Sequence, residues 1–297
     1  MKFQMGAMSM GDILDRGLKL LLARLGTFYL INLIVLSPVL ILRLALPDLI
    51  KDFATETLER LQLATATGNL LLVLISLMLQ PIATAAILHV VAQEFVGQNA
   101  TIGQALRFAL RRFGTLLLAS IMVGVLVAVL SFLVAMPAIA LTIMLGPLIG
   151  VLVGMVAAFV LVILVMVYYV FIAQVIVVEN KGAASALWRS HALTSGYRWQ
   201  VLGLFVLSFV ITLIFAFSLA IFDQLMPYME VVTTQSGVKG IINRTNYSVH
   251  TLIEALLNIL VQTFMAVCFT LLYFNIRIRK EGYDLELATA SESPVPT

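Results

Sequence analysis

Of the residues whose types could do chemistry, only a few lie inside the long apolar runs of this chain. Ionisable side chains in such surroundings are costly, so each one is a suspect for function. Glu254 lies about one turn into the last apolar run and Arg43 near the outer end of the first. The two can pair at similar depth, or each can reach the interface separately. Gln80, Gln174 and Gln262 fall within other parts of these runs. They can line a polar path, or they can hydrogen-bond between helices at about 0.6 to 2 kcal/mol each. His89, Gln93 and Glu94 close the second run, and with His191 and His250 the three histidines are too scattered for a metal site. Cys268, the single cysteine, sits in an apolar stretch and reads as packing. No H-E-x-x-H helix, G-x-S-x-G elbow or phosphate-cradling P-loop occurs, and paired aspartates within the spans are absent, Asp223 lying at the outer end of one. Catalysis, a metal and a cofactor are therefore not expected. Asn243-Arg244-Thr245 and Asn246-Tyr247-Ser248 match the glycosylation pattern, which is short and common.

The elements that must position these residues follow from composition. With 62% hydrophobic and 11% charged residues and a mean hydropathy of +1.08, the chain has more apolar surface than a water-soluble fold of 297 residues could bury. A bilayer crossing takes about 20 apolar residues. Runs of that kind occupy roughly 27–46, 69–93, 113–178, 200–222 and 250–275. The middle run has no Asp, Glu, Lys, Arg or His between Arg112 and Glu179, so it holds two long spans or three short ones. Basic residues flank it on both sides, Arg107, Arg111 and Arg112 before and Lys181, Arg189 and Arg198 after. The positive-inside rule puts both flanks in the cytoplasm and requires an even number. Two spans, 115–144 and 148–178, turning near Gly146-Pro147, meet that requirement, with tilt, a kink at Pro137 or projecting ends to absorb their length. In the resulting six-span arrangement both termini are cytoplasmic. Thirteen of the 18 basic residues then lie inside: those six with Lys2, Arg16, Lys19, Arg24, Arg277, Arg279 and Lys280. The N-terminus lacks the pattern of a cleaved signal peptide, so the first span is expected to stay.

The cytoplasmic segments contain an internal repeat. Ser9-Met10-Gly11-Asp12-Ile13-Leu14 and Thr101-Ile102-Gly103-Gln104-Ala105-Leu106 open similar stretches that close on Leu25-Gly26-Thr27 and Phe113-Gly114-Thr115. Each opening carries the capping-box signature of a helix start. Apolar residues then recur at helical spacing: Leu14, Leu18, Leu21, Leu22 and Leu25 in the first copy, and Ile102, Ala105, Leu106, Ala109, Leu110 and Phe113 in the second. Arg16, Lys19, Arg107, Arg111 and Arg112 are placed to meet lipid headgroups from helices lying in the interface. A third copy over Ala184–Ser195 is interrupted at Ser190 and His191. Three copies would make three units of interfacial helix, outward span and inward span. Small residues recur every four positions, as Gly146, Gly150, Gly154 and Ala158, and as Ser120, Gly124 and Ala128. These faces let backbones approach, between spans three and four or between two copies of the chain.

Several segments carry a resemblance. They are Met10-Gly11-Asp12-Ile13-Leu14-Asp15-Arg16, the Ile102–Arg112 helix, Leu187-Trp188-Arg189-Ser190, and the ending Leu272-Tyr273-Phe274-Asn275-Ile276-Arg277-Ile278-Arg279-Lys280-Glu281-Gly282-Tyr283-Asp284-Leu285-Glu286-Leu287. Together they resemble the glycerophosphoryl diester phosphodiesterase membrane domain family of prokaryotes along nearly the whole chain. The resemblance implies a membrane unit that some members join to a catalytic barrel and others carry alone. With only residues 276–297 after the last span, this chain is expected to be the stand-alone kind, without phosphodiesterase activity.

The expected fold is all-α: a polytopic bundle of six spans (27–46, 69–93, 115–144, 148–178, 200–222 and 250–275) with two or three amphipathic interfacial helices. One membrane domain runs over 1–287, and the polar 288–297 reads as a disordered tail. The setting is the cytoplasmic, or inner, membrane of a prokaryote. The expected role is a non-catalytic scaffold or accessory protein at the lipid surface, and the alternative is a transporter or channel for a small molecule or lipid. Expected partners are membrane lipids, together with protein partners or further copies of the chain. Nucleic acid is not among them, because the basic residues form no patch.

Overall fold

A computed structural model describes residues 8–54, 58–98, 100–234 and 237–282. Lys2, the segment 283–287 and the expected tail at 288–297 lie outside the described residues. The elements are α1 (Met10–Ala23), α2 (Leu25–Ala54), α3 (Leu58–Phe95), α4 (Ile102–Leu145), α5 (Pro147–Tyr169), α6 (Ile172–Val178), α7 (Ala183–Thr194), α8 (Arg198–Leu225), β1 (Met229–Thr234), β2 (Gly237–Ile242) and α9 (Arg244–Glu281). Six stretches are long and apolar enough to cross a membrane, carried by α2, α3, α4, α5 with α6, α8 and α9. The chain is thus an all-α multi-pass membrane protein.

Of the six spans α9 is the most buried, packing on α1, α2, α3 and α8. Half of its most apolar window is buried, against 6% in α4 and in α8, whose side chains are left to face the surroundings. Its last three turns bury Leu271, Leu272, Tyr273, Phe274 and Ile276. Phe95 of α3 stacks on Phe274 at 4.2 Å. Because lipid is as apolar as these side chains, close packing and interhelical polar contacts hold such a bundle together.

Both termini of the described chain lie at one end, since the Asn275 side chain accepts from the Met8 amide at 2.8 Å and donates to the Met8 carbonyl at 3.1 Å. The opposite end carries an antiparallel hairpin, β1 with β2, pairing Met229 with Ile242 through Thr234 with Gly237. The connection between the expected spans 200–222 and 250–275 thus contains a hairpin, and α9 starts at Arg244, ahead of the expected 250. Asn243, the first glycosylation-pattern asparagine, is the N-cap of α9, with its side chain accepting from the Asn246 amide at 3.2 Å. A cap of this kind satisfies an end amide that the helix itself cannot.

The turn between spans three and four falls where expected. Gly146 adopts φ +93°, a backbone that only glycine enters freely. Beyond it Gly150 and Gly154 press on Thr142 and Ala138 of α4, with no room for a side chain. The expected continuous span 148–178 is instead broken at Val170–Phe171 into α5 and α6. Ser190 of α7 makes that break tolerable: its buried hydroxyl accepts from the Phe171 amide at 3.1 Å and donates to the Tyr168 carbonyl at 3.0 Å. The polar interruption in the third apolar stripe therefore has a structural task.

Both capping boxes form, at Ser9 with Asp12 and at Thr101 with Gln104. The two capped segments differ in shape, however. α1 is a separate helix, whereas the Ile102–Arg112 segment continues without interruption into the span as α4. The expected apolar stripe of α1 is also displaced. Ile13, Gly17, Leu20 and Leu21 are buried, while Leu18 and Leu22 are 48% and 62% exposed. Gly17 explains the shift, because a Cβ there would sit 2.7 Å from the Cys268 sulfur of α9. A bare backbone face docks closer than a leucine face can.

Candidate functional site

Two cavities and one ionic cluster collect the residues of interest. The larger cavity is a groove of about 1050 Å³ between α3, α4 and the α5–α6 junction. Its walls include Leu77, Met78 and Pro81 of α3, Leu117, Ser120 and Gly124 of α4, and Tyr169, Val170 and Ile172. The groove exists for local reasons. Pro81 removes the helical hydrogen bond to the Leu77 carbonyl. The helix break sits on the opposite wall, and Gly124 has open space where a side chain would be. The small-residue face of Ser120, Gly124 and Ala128, expected to pack, is exposed, and its first two members line this groove. Around it Leu74, Leu77, Leu118, Ile121 and Val125 are exposed. Side chains of that kind belong against lipid tails.

The smaller cavity, about 270 Å³, lies among α2, α3 and α9. Three of the predicted residues line it, and a fourth, Glu254, is paired with one of them. Arg43 and Glu254 form an ion pair at 2.9 Å, and Gln80 Nε2 donates to Gln262 Oε1 at 2.6 Å. Arg43, Gln80 and Gln262 line the cavity together with Ser76 and Asn258, on walls otherwise made of Leu33, Leu36, Val39, Leu40, Ala255 and Ile259. Glu254 and Gln262 are eight residues apart on one helix, so the polar positions descend about 12 Å from the hairpin side. Next to Gln262, Thr263 accepts from Asn32 Nδ2 at 3.2 Å, and both are buried. Gln174 is not part of this group. It is buried on α6, on the side of the termini, and its Oε1 has no partner among the described residues.

At the end bearing the termini, Glu179 and Glu281 knit α6, α7 and α9 together. Glu179 accepts from Arg189 Nε at 3.0 Å, from the Tyr273 hydroxyl at 2.9 Å and from Lys181 at 3.1 Å. Burial works against its charge, but the hydrogen bonds from Tyr273, Lys181 and Arg189 outweigh it and hold the carboxyl below its ordinary range. Glu281 takes Arg189 at 2.6 Å and Arg277 at 3.1 Å. Arg279 donates to the Met8 carbonyl at 2.9 Å. Arg24 pairs with Glu94 at 2.8 Å, joining the α1–α2 corner to α3.

The predicted headgroup-binding residues lie at the same end, with Lys19, Arg107 and Arg111 exposed and Arg16 and Arg112 half-buried. Lys19 pairs with Asp15 at 2.6 Å. Two residues not singled out for lipid contact stand out beside them: Trp188 and Trp199 are 78% and 84% exposed. Tryptophan is enriched at membrane interfaces, and that preference was the available signal in the sequence. His89 is a stacking partner of Phe108 at 4.3 Å, and His250 lies 3.0 Å from Asp223. Among the described residues no group of three His, Cys, Asp or Glu could hold a metal ion.

The comparisons with known proteins correct one expectation. The chain does not match the glycerophosphoryl diester phosphodiesterase membrane domain family, and a different family matches instead. The ending that carried the resemblance has a structural account in the cluster above: Tyr273, Asn275, Arg277, Arg279 and Glu281 tie α9 to α7 and to the N-terminal segment. No curated protein and no solved structure matches the chain. Over residues 8–276 the match is to a domain of unknown function, DUF7847, and the chain belongs to that family.

Proposed function

We propose that this protein is a non-catalytic lipid-handling protein of a prokaryotic cytoplasmic membrane, with both termini in the cytoplasm, that takes the acyl chain of a membrane lipid into the α3–α4–α5/α6 groove. The observation that carries this reading is the groove itself. It is about 1050 Å³ in volume, almost wholly apolar, and rimmed by exposed leucines and valines. In a bilayer the molecules that reach such a groove are lipids, and an apolar cavity open to them fills with their chains. The orientation rests on the basic residues gathered at the end of the termini, and the exposed Trp188 and Trp199 suit an interface there. Exposed Lys19, Arg107 and Arg111 at that end suit anionic headgroups, so an accessory role at the lipid surface is part of the same reading. The two capping boxes also support a chain built from repeated units of capped helix and span pair.

The test is photocrosslinking with a phospholipid carrying a diazirine in its acyl chain, in reconstituted vesicles, followed by peptide mapping. Adducts are expected to concentrate on Leu77, Thr84 and Leu117, and Gly124→Leu, which fills the groove, is expected to remove them. Adducts spread evenly over α4, α5 and α8, unchanged by Gly124→Leu, would overturn the reading.

The alternative of a small-molecule transporter is favoured by one observation, the polar line from Arg43 to Gln262. Against it, Gln80 and Gln262 are engaged with each other and Gln174 lies apart. Uptake of a solute into protein-bearing vesicles, absent from empty ones, would restore it.

A further inference from the structure

The cavity among α2, α3 and α9 has an uneven lining that points to an amphiphile. Its charged member, Arg43, is at the hairpin side; Asn258 and Ser76 lie beyond it; the walls between are leucine, valine and isoleucine; and the Gln80–Gln262 bond closes the inner part. We propose that this cavity is a headgroup site for a zwitterionic phospholipid, with the phosphate on Arg43 and the head's ammonium toward Glu254. The inference rests on the placement of the chain in a bilayer; the groove shares Gln80 with this cavity but neither Arg43 nor Asn258.

Three features support it. First, Arg43 approaches Glu254 most closely through Nη1, at 2.9 Å. A guanidinium has five N–H donors in a planar fork, so a phosphate can be taken by the remaining edge without breaking the pair. Second, the pair has no net charge. A purely anionic head would gain at Arg43 and lose at Glu254, whereas a head carrying both charges finds a complement for each. Third, the depth matches a lipid. Asn258, one turn below Glu254, already donates to the Glu254 carbonyl at 3.0 Å, so it is held in place where ester oxygens would sit below the phosphate. The apolar walls then receive the first carbons of a chain.

The experiment is native mass spectrometry of the purified chain in mild detergent. The chain is stripped of lipid and then offered equal amounts of phosphatidylethanolamine and phosphatidylglycerol. The wild-type chain is expected to retain phosphatidylethanolamine preferentially. Arg43→Gln is expected to lower that retention about tenfold, the scale of one lost charge-assisted contact. Glu254→Gln is expected to remove the preference and bring the two lipids level. Leu36→Trp fills the cavity without touching the ion pair and is expected to abolish retention, so the proposal stays testable if an Arg43 variant fails to fold. Retention unchanged in both Arg43→Gln and Leu36→Trp would overturn it. A preference for phosphatidylglycerol would do the same. Displacement of the lipid by millimolar inorganic phosphate alone would overturn it in favour of a free-phosphate site. Headgroup retention measured in the Gly124→Leu chain reads this cavity separately from the groove, so failure of one assignment is distinguishable from failure of the other.

Discussion

Two ionic groups in this molecule use the same residue types and do different work. At the end of the termini, Glu179 and Glu281 are enclosed by Arg189, Arg277, Lys181 and Tyr273. Toward the hairpin end, Arg43 and Glu254 form a single pair, and the arginine looks into an open cavity. A carboxylate has about four acceptor sites. When three donors from two helices and the loop between α6 and α7 converge on it, the group is a fastener. When one partner is present and space adjoins it, the group has capacity left for a ligand. Charge in an apolar chain therefore divides into saturated and unsaturated sites, and the second kind marks where to look for binding.

The sharpest way to break the comparison is to remove the fastener. Glu179→Ala leaves Arg189, Tyr273 and Lys181 without their shared acceptor, and removing one member of a buried ionic group costs about 3–5 kcal/mol. The expected result is a large drop in melting temperature in detergent, with loss of cooperative unfolding. Arg43→Gln should cost far less by the same measurement. If the two cost the same, the division into fastener and site fails. The saturated group also has a pH signature. Glu179 is held below its ordinary value of 4.5 in the folded protein, so its contribution is fully present above that value and is lost as pH falls through the lower folded one. Stability should thus be level in this respect from neutral pH down to about 5 and decline below about 4.5, and Glu179→Gln should flatten the decline.

Next in size is the seam between α1 and α9. A methyl group at Gly17 would sit 2.7 Å from the Cys268 sulfur, so Gly17→Ala forces the helices apart, and overpacking of this kind costs about 1–3 kcal/mol. Adding Cys268→Ala removes the sulfur and is expected to recover most of the loss, as read from a double-mutant cycle of melting temperatures. An additive cycle would mean that the two residues do not meet. Ser190→Ala should follow at about 1–3 kcal/mol, because the buried Phe171 amide loses its acceptor, with α6 and α7 showing faster hydrogen exchange than α9.

These contacts also mark how far the sequence could be read. The six spans and the turn at Gly146 were legible, because a run without charge between Arg112 and Glu179 and basic flanks on both sides leave few arrangements. The capping boxes were legible because their residues are three apart. The break at Val170–Phe171 was not, because what permits it is a serine 19 residues away from Phe171. Nor was the docking face of α1, since hydropathy ranks leucine above glycine while close approach ranks them the other way. Arg43 and Glu254 could be seen to lie at similar depth, with pairing and separate interface positions both open, while that Gln80 meets Gln262 is read only from the structure. The cavity beside them was not legible, because empty space has no residue of its own, and the Ser120–Gly124 face, open in the structure, has the pattern of a packed one.

The smallest expected effect is the most telling for the comparison. Gln80 and Gln262 meet at 2.6 Å across the α3–α9 contact, and hydrogen bonds between membrane helices average about 0.6 kcal/mol. Replacing either glutamine alone by leucine leaves the other amide without its partner. Replacing both removes the need for partners and adds apolar volume at the cavity's inner end. If the bond is a fastener like those of Glu179, the double variant should be the least stable of the set. If its main work is to close the inner end of a site, the double variant should melt within about 1 kcal/mol of the wild type while losing phosphatidylethanolamine retention. The structure favours the second outcome, because Asn32 with Thr263 already supplies a buried polar tie between α2 and α9 immediately beside it. Melting and lipid retention measured on the same three preparations would separate the two roles.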